Sequence, residues 1–333
     1  MKLLKVCAQI CVQICVLASI WAGATMPAQA QEYPARNITI VVPLAPGSGM
    51  DAVVRLYADK LSQAFGKPVI VENKPGAALM LAATYVANAP PDGYTLLVST
   101  ISVMAINPVL YKQVNYDAVK DFTPVSFYLK SPFILVVNTD LPVKNVPDLI
   151  KLAKEGKTPL NFSSLGAGSP QHLSIEYMKQ RFGFDMTHVP YRSTPQSITD
   201  IVANHVQLGF VEAGASLPLI RDGKLRPLAV SASTRLPTLP DVAPFAEAAN
   251  APGFEVVSWH ILFAPAATPK PIVDKLHAEM DKIMADPEIK QKIATLGLLP
   301  ITPPSTAETV TYLASEREKW GSLVRKLGLE GSQ

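Results

Sequence analysis

The feature that most constrains the fold is a regular alternation between short apolar runs rich in β-branched residues and longer amphipathic segments. The short runs are typical of buried strands, and the longer segments carry apolar residues at helical spacing. Strands that alternate with helices along a chain predict an α/β fold. The predicted strands are 38–43, 68–73, 94–100, 133–138, 160–164, 186–191, 206–211 and 225–231.

Four predicted helices have clear start or stop signals. They cover residues 51–65, 170–182, 271–286 and 305–327. The first stops at Gly66, and the second begins after Ser169, an N-cap residue followed by a proline, and stops at Gly183. The last opens with Ser305 and Glu308, the pattern of a capping box.

The first thirty residues have the organisation of a secretory signal peptide. A basic start precedes the mostly apolar stretch 6–25, and Ala28-Gln29-Ala30 is an A-x-A cleavage site. The stretch is long enough that a membrane anchor is the alternative, but glutamines interrupt it and QEYP follows the cleavage site. We therefore expect cleavage after Ala30 and a soluble protein exported to the periplasm.

Cysteine content and charge argue against several classes of protein. Cys7, Cys11 and Cys15 all lie in the predicted signal peptide, so the mature chain is expected to lack disulfides and cysteine-based metal sites. The formal net charge is only +3 at pH 7 and no basic patch stands out, so nucleic acid is not an expected partner.

The stretch GSGMDA at 47–52 matches the dinucleotide-binding pattern G-x-G-x-x-A, and Glu72 follows about twenty residues later. Two observations argue against this interpretation. In that motif the glycines follow the strand directly, whereas the residues PLAP intervene at 43–46. In addition, an exported protein does not normally meet NAD. We expect no cofactor.

Motifs for catalysis are missing from the sequence. No G-x-S-x-G, H-E-x-x-H, S-x-x-K or P-loop pattern occurs, and the five histidines are scattered without ligand spacing. We therefore expect binding without turnover and no metal site. An exported hydrolase or lyase that uses His188 or His172 as a base is the alternative.

Two glycine-rich turns share one physical property. Loop 1 (residues 42–51, VPLAPGSGMD) and loop 2 (residues 163–172, SSLGAGSPQH) each lead into a predicted helix. Helix N-termini expose unpaired N–H groups and carry about half a positive charge, and glycine lets a ligand come close to the backbone. Each turn alone is explained by an ordinary helix cap at Ser48 or Ser169. As a pair in an exported protein, they indicate a clamp for an anion such as a carboxylate.

No stretch resembles a flexible linker, so a chain of this length with two lobes must join them by crossover strands. The candidate crossings lie near 128–135 and 256–263. The first lobe would then be discontinuous, built from the N-terminal third and the C-terminal helices.

Several stretches together resemble the Bug-type periplasmic solute-binding proteins of tripartite tricarboxylate transporters. They are YPARNITIVVPLAPGSGMD, PVIVENKPGA, APPDGYTLLVST, INPVLY, VKDFTPVS, HVPYRS, RDGKLRPLAVSASTRLPTLPDV and LFAPAATP. The resemblance implies a two-lobe, type II Venus-flytrap fold that binds a small carboxylate and delivers it to membrane permease subunits. We expect a monomer with a signal peptide at 1–30, a first lobe at 31–131 and 259–333, and a second lobe at 132–258.

The resemblance also implies the residues of the ligand site. In loop 1 they are Pro46, Gly47, Ser48, Gly49, Met50 and Asp51. In loop 2 they are Ser164, Gly166, Gly168 and Ser169. Further segments of the family's cleft match Thr100, Ser102, Tyr191, Arg192 and Ser193. Arg192 is expected to bind a second carboxylate through two hydrogen bonds.

Departures from the family pattern bear on the ligand. Ala78 to Ala82 replace a glycine-rich stretch, Met50 stands where threonine is common, and Val211 with Glu212 replaces an Asp-Asn pair. If Met50 and Met80 face the cleft, the pocket is unusually apolar and adaptable. We then expect an aromatic mono- or dicarboxylate, such as a phthalate-type or nicotinate-type acid. The alternatives are an aliphatic di- or tricarboxylate, an acidic amino acid, or a role as a ligand-presenting sensor.

Overall fold

Three parallel strands form one edge of the sheet in the computed structural model, which describes residues 32–333. β1 (Ile38–Val42) lies between β2 (Val69–Asn73) and β3 (Thr95–Ser99). α1 (Gly49–Phe65) connects β1 to β2, and a short 3-10 turn (Ala77–Leu79) with α2 (Met80–Ala87) connects β2 to β3. The predicted signal peptide and its three cysteines lie outside the described residues.

The longest strand, β4 (Phe122–Asn138), belongs to both halves of the sheet. Its first part pairs antiparallel with β9 (Val257–Pro265) and β10 (Leu299–Pro300). Its second part pairs antiparallel with β7 (Leu208–Glu212) and β8 (Leu225–Val230). β5 (Asn161–Ser164) runs parallel to β7 and to the last strand, β6 (Thr187–Pro190). The strand order is β2-β1-β3-β9-β4-β7-β5-β6, with β8 and β10 also paired to β4.

The remaining helices cover the sheet, and residues 36–333 form one compact unit. A π-helix (Ser102–Ile106) follows β3 and leads into α3 (Asn107–Leu110). The others are α4 (Val146–Glu155), α5 (Pro170–Phe182), α6 (Thr194–Val202), α7 (Ala213–Arg221), α8 (Phe245–Ala248), α9 (Lys270–Ala285), α10 (Pro287–Thr295) and α11 (Thr306–Lys326). α9 packs against α1 and β4, and α11 packs against the π-helix and β4.

Helix boundaries follow the capping residues that the sequence predicts. The side chains of Ser48 and Ser169 accept hydrogen bonds from the third residues of α1 and α5. Ser305 and Glu308 form the reciprocal bonds of a capping box at α11. Gly66 adopts the left-handed conformation where α1 ends, which glycine reaches without strain. The α/β class is therefore confirmed.

The eight predicted strands are all present, but one is incomplete. Residues 133–138 are only the second part of β4, which begins eleven residues earlier at Phe122. The first part contains Pro124, Lys130 and Pro132, and its register with β9 shifts twice. Prolines and bulges weaken the strand pattern in the sequence because they interrupt its alternation.

A large buried core holds the helices to the sheet. Trp259 on β9 and Trp320 on α11 are each at most 1% exposed, and both donate their indole N–H to Glu316 Oε2, at 3.1 and 3.2 Å. This buried carboxylate attaches the C-terminal helix to β9. Within residues 32–333, no helix is both long enough and apolar enough to cross a membrane.

Candidate functional site

The two glycine loops lie on facing edges of the sheet, as the strand directions require. β1 and β3 run in the same direction as β4, so their carboxyl ends point along β4 toward the second half. β5 and β7 run opposite to β4, so their carboxyl ends point back toward the first half. Ser99, at the end of β3, and Phe127 of β4 both pair with Ile261 of β9, so they lie at the same height along the sheet. Glu212, at the end of β7, pairs with Phe133 of β4. About 20 Å of β4 therefore separates the two edges.

Loop 1 is organised by the carboxylate of Asp51, which is only 3% exposed. The carboxylate accepts hydrogen bonds from the Gly47 amide (2.9 Å), from Arg55 Nε and a terminal nitrogen (3.0 Å each), and from Asn73 Nδ2 (2.9 Å). Asn73 Nδ2 also donates to the Leu44 carbonyl at 2.9 Å. Asp51 therefore holds loop 1 to β2 with its own side chain.

These contacts keep Asp51 ionised. Burial alone would raise the pKa of Asp51, but hydrogen bonds from Arg55, Gly47 and Asn73 outweigh it and hold the pKa below its usual range. The carboxylate is thus engaged inside the loop. The amides of Gly49 and Met50, the first two of α1, are among the loop 1 donors that have no acceptor within residues 32–333.

Loop 2 is built by a similar set of internal bonds. The Gly166 amide donates to Ser164 Oγ (3.1 Å), the Ser169 amide to the Gly166 carbonyl (3.2 Å), and the Gly168 amide to His172 Nδ1 (3.0 Å). Ser169 Oγ accepts the His172 amide at 3.3 Å and keeps its own hydrogen for another acceptor.

Within the described chain, the amides of Ala167 and Gln171 have no acceptor. Some glycine amides that the sequence offered to a ligand are therefore used by the loops themselves, and the neighbouring amides remain available.

Two histidines lie together and bond to loop 2, although their scattered positions along the chain did not predict this pairing. The rings of His172 on α5 and His188 on β6 have centroids 4.2 Å apart, and both stack against Phe162 of β5. His188 Nε2 lies 2.6 Å from Ser164 Oγ. β5 pairs in parallel with β6 and places Phe162 in register with His188. This strand pairing, which brings the two histidines together, was not predicted from the sequence.

Both histidines are neutral around pH 7. Burial lowers the pKa of His172 to about 4, and the nearby Lys179 acts in the same direction. Burial also lowers the pKa of His188 to about 4, with a further contribution from His172. No group of three or more histidine, aspartate or glutamate side chains in residues 32–333 is arranged to hold a metal ion.

Of the predicted ligand-site residues that follow β6, one lies in the core and two lie on the surface. Tyr191 is buried in the core, its amide donates to the Ser164 carbonyl at 2.8 Å, and its hydroxyl donates to Asp200 at 2.8 Å. Arg192 and Ser193 are exposed beside this strand end. Arg192 has no hydrogen-bond or ion-pair partner within the described part of the chain, so its guanidinium is free to bind an anion.

Thr100 and Ser102 lie at the carboxyl end of β3, on the same edge as loop 1. Thr100 is 6% exposed, and its hydroxyl, like that of Ser99, has no partner among residues 32–333. Ser102 begins the π-helix, a rare element that is frequent at functional sites.

The first half also approaches loop 2 directly. A Cβ added at Gly168 would lie 2.1 Å from a methyl carbon of Leu110 in α3, so any larger residue would force the Leu110 side chain to shift. Gly168 also has a φ of +72°, which disfavours other residues. Loop 2 therefore rests against α3, and α3 follows the π-helix of the first half.

The departures from the family pattern have distinct structural outcomes. Met50 is 3% exposed, and Met80 is partly buried against the main core. Ala77, Ala78 and Leu79 all have positive φ values, from 46° to 72°, a strained conformation for residues with a Cβ. Asn107, the first residue of α3, holds this turn by donating to the Ala78 carbonyl at 2.9 Å.

Glu212 is an acidic residue on the loop 2 edge that was noted only as a departure. Burial raises its pKa. Arg55 and Asn73, which fix loop 1, were also missed as site residues. Asn73 directly follows a predicted strand and Arg55 stands four residues after Asp51, and this helical spacing was the available signal.

The comparisons place this architecture in a known class. Residues 53–329 match the family described as "Tripartite tricarboxylate transporter family receptor", and the chain belongs to this family. Its members and structural neighbours are solute-binding proteins of the α/β periplasmic-binding class, and the chain is a solute-binding protein rather than an enzyme. The hydrolase or lyase alternative is therefore rejected.

Three solved structures show the likeness in detail. The R. palustris protein Rpa4515, with adipate, is 33% identical, with coverage of 89% of this chain and 99% of that one and a TM-score of 0.81. The periplasmic binding protein BugD is 31% identical, with coverage of 90% and 99% and a TM-score of 0.78. MatC from Rhodopseudomonas palustris, with bound malate, is 32% identical, with coverage of 88% and 100% and a TM-score of 0.76.

Proposed function

We propose that the protein captures a small organic dicarboxylate between loop 1 and loop 2 and delivers it, in the periplasm, to the permease subunits of a tripartite tricarboxylate transporter. The observation that carries this proposal is the pair of glycine loops on facing edges of the sheet, each opening into the N-terminus of a helix longer than ten residues.

The available donors suit a carboxylate. The amides of Gly49 and Met50 at α1, and those of Ala167 and Gln171 at loop 2, are unused within residues 32–333. The positive ends of two helix dipoles add to their effect. Hydrogen bonds to a charged group contribute about 1.5–3 kcal/mol each, so three or four of them supply roughly the 8 kcal/mol of a micromolar ligand.

A second carboxylate would be bound by Arg192. Its guanidinium is exposed, lacks a partner in the described chain and lies beside the strand end that is bonded to Ser164. Arginine binds a carboxylate through two parallel hydrogen bonds, which fixes orientation as well as charge. We therefore assign the first carboxylate to the loops and the second to Arg192.

An aliphatic dicarboxylate is favoured over the aromatic acid expected from the sequence. Adipate and malate are the ligands of two structural neighbours at 33% and 32% identity. The aromatic hypothesis depended on Met50 and Met80 lining the cleft, and Met50 is buried. Phthalate and nicotinate stay in the test as the competing class.

Capture would proceed by closure of two lobes, 31–131 with 259–333 against 132–258. The hinge would lie in β4 and β9, the strands that pass between the two segments. Hinge closure around a ligand is the common motion of such two-lobe proteins.

The test is a thermal-shift screen of the purified protein with adipate, malate, phthalate, nicotinate, citrate and glutamate. A ligand at one hundred times its dissociation constant stabilises by about 2.7 kcal/mol. We expect adipate or malate to give the largest shift and Arg192→Ala to reduce it, while Arg221→Ala, a change at the end of α7, leaves it intact. Absence of a shift with every carboxylate would reject the proposal, and mass spectrometry should recover the ligand unchanged.

A further inference from the structure

The His172–His188 pair occupies a position that bears on both ends of loop 2. His172 Nδ1 accepts the Gly168 amide near the end of the loop, and His188 Nε2 bonds Ser164 Oγ near its start. Ser164 Oγ in turn accepts the Gly166 amide. The conformation of the glycine segment therefore depends on two imidazoles.

The bonding fixes the protonation state of His172. A nitrogen that accepts an N–H carries no proton, so His172 is the neutral tautomer with its hydrogen on Nε2. Protonation would place a second donor against the Gly168 amide, and this bond would be lost. Because the two rings are 4.2 Å apart, two positive charges there would also repel each other.

The charged groups that face the pair compensate a protonated ring only in part. Glu176 Oε1 lies 3.7 Å from His172 Nε2 but bonds Lys179 at 2.8 Å. Lys179 also pairs with Asp185, just before β6, and its positive charge opposes protonation of both histidines. Burial and Lys179 thus favour the neutral form of His172, and for His188 burial and the His172 ring outweigh the opposing effect of the Glu176 carboxylate.

We propose that His172 and His188 are positioning residues that hold loop 2 in its ligand-binding conformation, and that their protonation in acid releases the loop. This inference rests on the proposed function, since loop 2 is taken as half of the ligand site. The pair gives loop 2 a conformation that is sensitive to acid.

The first experiment uses the ligand-free protein, so its outcome does not depend on which solute binds. NMR would follow the imidazole signals and the exchange rate of the Gly168 amide from pH 7 to pH 4. We expect both histidines to titrate well below pH 6.5 and the Gly168 amide to lose protection as they do. His172→Leu should lose this protection at pH 7 in a folded protein, whereas His172→Asn, which keeps an uncharged acceptor, should retain more of it.

The second experiment measures adipate affinity across the same pH range. His172→Leu should bind about tenfold more weakly at pH 7, the effect of one lost hydrogen bond. Relative to its own affinity at pH 7, the double variant His172→Asn/His188→Gln should lose less adipate affinity at each lower pH than the wild type does. Because both proteins are measured at the same pH values, the titration of adipate itself cancels. His205→Asn, at an exposed histidine, is the control and should follow the wild type.

The outcomes separate the two proposals. Unchanged Gly168 exchange in His172→Leu, or identical acid loss in the wild type and the double variant, would overturn the role of the histidine pair. Absence of adipate binding with the expected exchange and titration would instead contradict the proposed ligand and leave the loop mechanism supported.

Discussion

At the scale of single residues, Asp51 shows that a candidate ligand residue can instead shape the site. The sequence placed it in loop 1 as a possible contact, and its carboxylate is surrounded by Gly47, Arg55 and Asn73. A buried carboxylate with several donors is stable only when all of them stay in place. Asp51 therefore determines where the free amides of Gly49 and Met50 point.

Replacing Asp51 by asparagine should destabilise the protein by about 1–2 kcal/mol, because the charge-assisted bonds weaken and an amide N–H must face other donors. The ion pair with the half-exposed Arg55 adds little to this figure. Urea unfolding would measure the change, with Asp59→Asn on the exposed face of α1 as the matched control. Equal stability of the two variants would contradict the organising role.

Gly168 is a second position where the residue type is fixed by its surroundings. Gly168→Ala should cost about 2–4 kcal/mol, because a positive φ and an overlap with Leu110 act together. Gly47→Ala has a similar φ of +80° but no atom within 4 Å, so it should cost only about 1–2 kcal/mol. Urea unfolding of both variants gives the comparison, and equal costs would mean that Leu110 moves aside freely.

The sequence located the loops better than the partners of their residues. Ser48 and Ser169 were predicted as caps, and both accept the expected amides. The pairing of His172 with His188 was not predicted, because it depends on which strands become neighbours in the sheet. The burial of Met50 was also open, since a methionine at a helix start can face either the core or a ligand.

At the scale of secondary structure elements, local signals defined most boundaries. Capping serines, C-terminal glycines and runs of β-branched residues mark α1, α5, α11 and seven of the eight predicted strands. The first part of β4 escaped prediction because two prolines and two register shifts obscure its alternation, and its pairing with β9 joins residues far apart in sequence. Tertiary pairing, which overrides local preference, decides such a strand.

The attachment of α11 is a testable property of an element. Glu316→Leu should destabilise the protein by about 2–4 kcal/mol, because two buried indole N–H groups lose their acceptor. Glu316→Gln keeps an acceptor oxygen and should cost about 1 kcal/mol. Urea unfolding followed by tryptophan fluorescence reports both. Equal costs for glutamine and leucine would show that the negative charge, which both variants remove, matters more than the acceptor oxygen that only glutamine keeps.

At the scale of the whole molecule, three histidines that are neutral in the folded state make stability depend on pH. Burial lowers the pKa of His260 to about 3, besides the values near 4 for His172 and His188. The unfolded chain titrates these groups near pH 6.5 and so binds more protons between that pH and the folded values. The contribution of the neutral histidines to the free energy of unfolding is therefore fully present above pH 6.5 and is lost as pH decreases. The raised pKa of Glu212 has the opposite effect, because the folded protein then binds the extra proton and gains stability in acid.

The free energy of unfolding should drop by about 1–2 kcal/mol per histidine between pH 7 and pH 5. Denaturant titrations at several pH values would measure the slope. His260→Leu should make this slope shallower by about one proton. A slope that His260→Leu does not alter would mean that this histidine titrates normally.

The dual membership of β4 has a consequence for how the molecule melts. One continuous segment supplies the backbone partners of β9 on one side of its midpoint and of β7 and β8 on the other. Loss of pairing in either half leaves part of the same segment without support, so the free energies of the halves are linked through it. Calorimetry should accordingly record a single cooperative transition, because neither half has a separate central strand with which to survive alone.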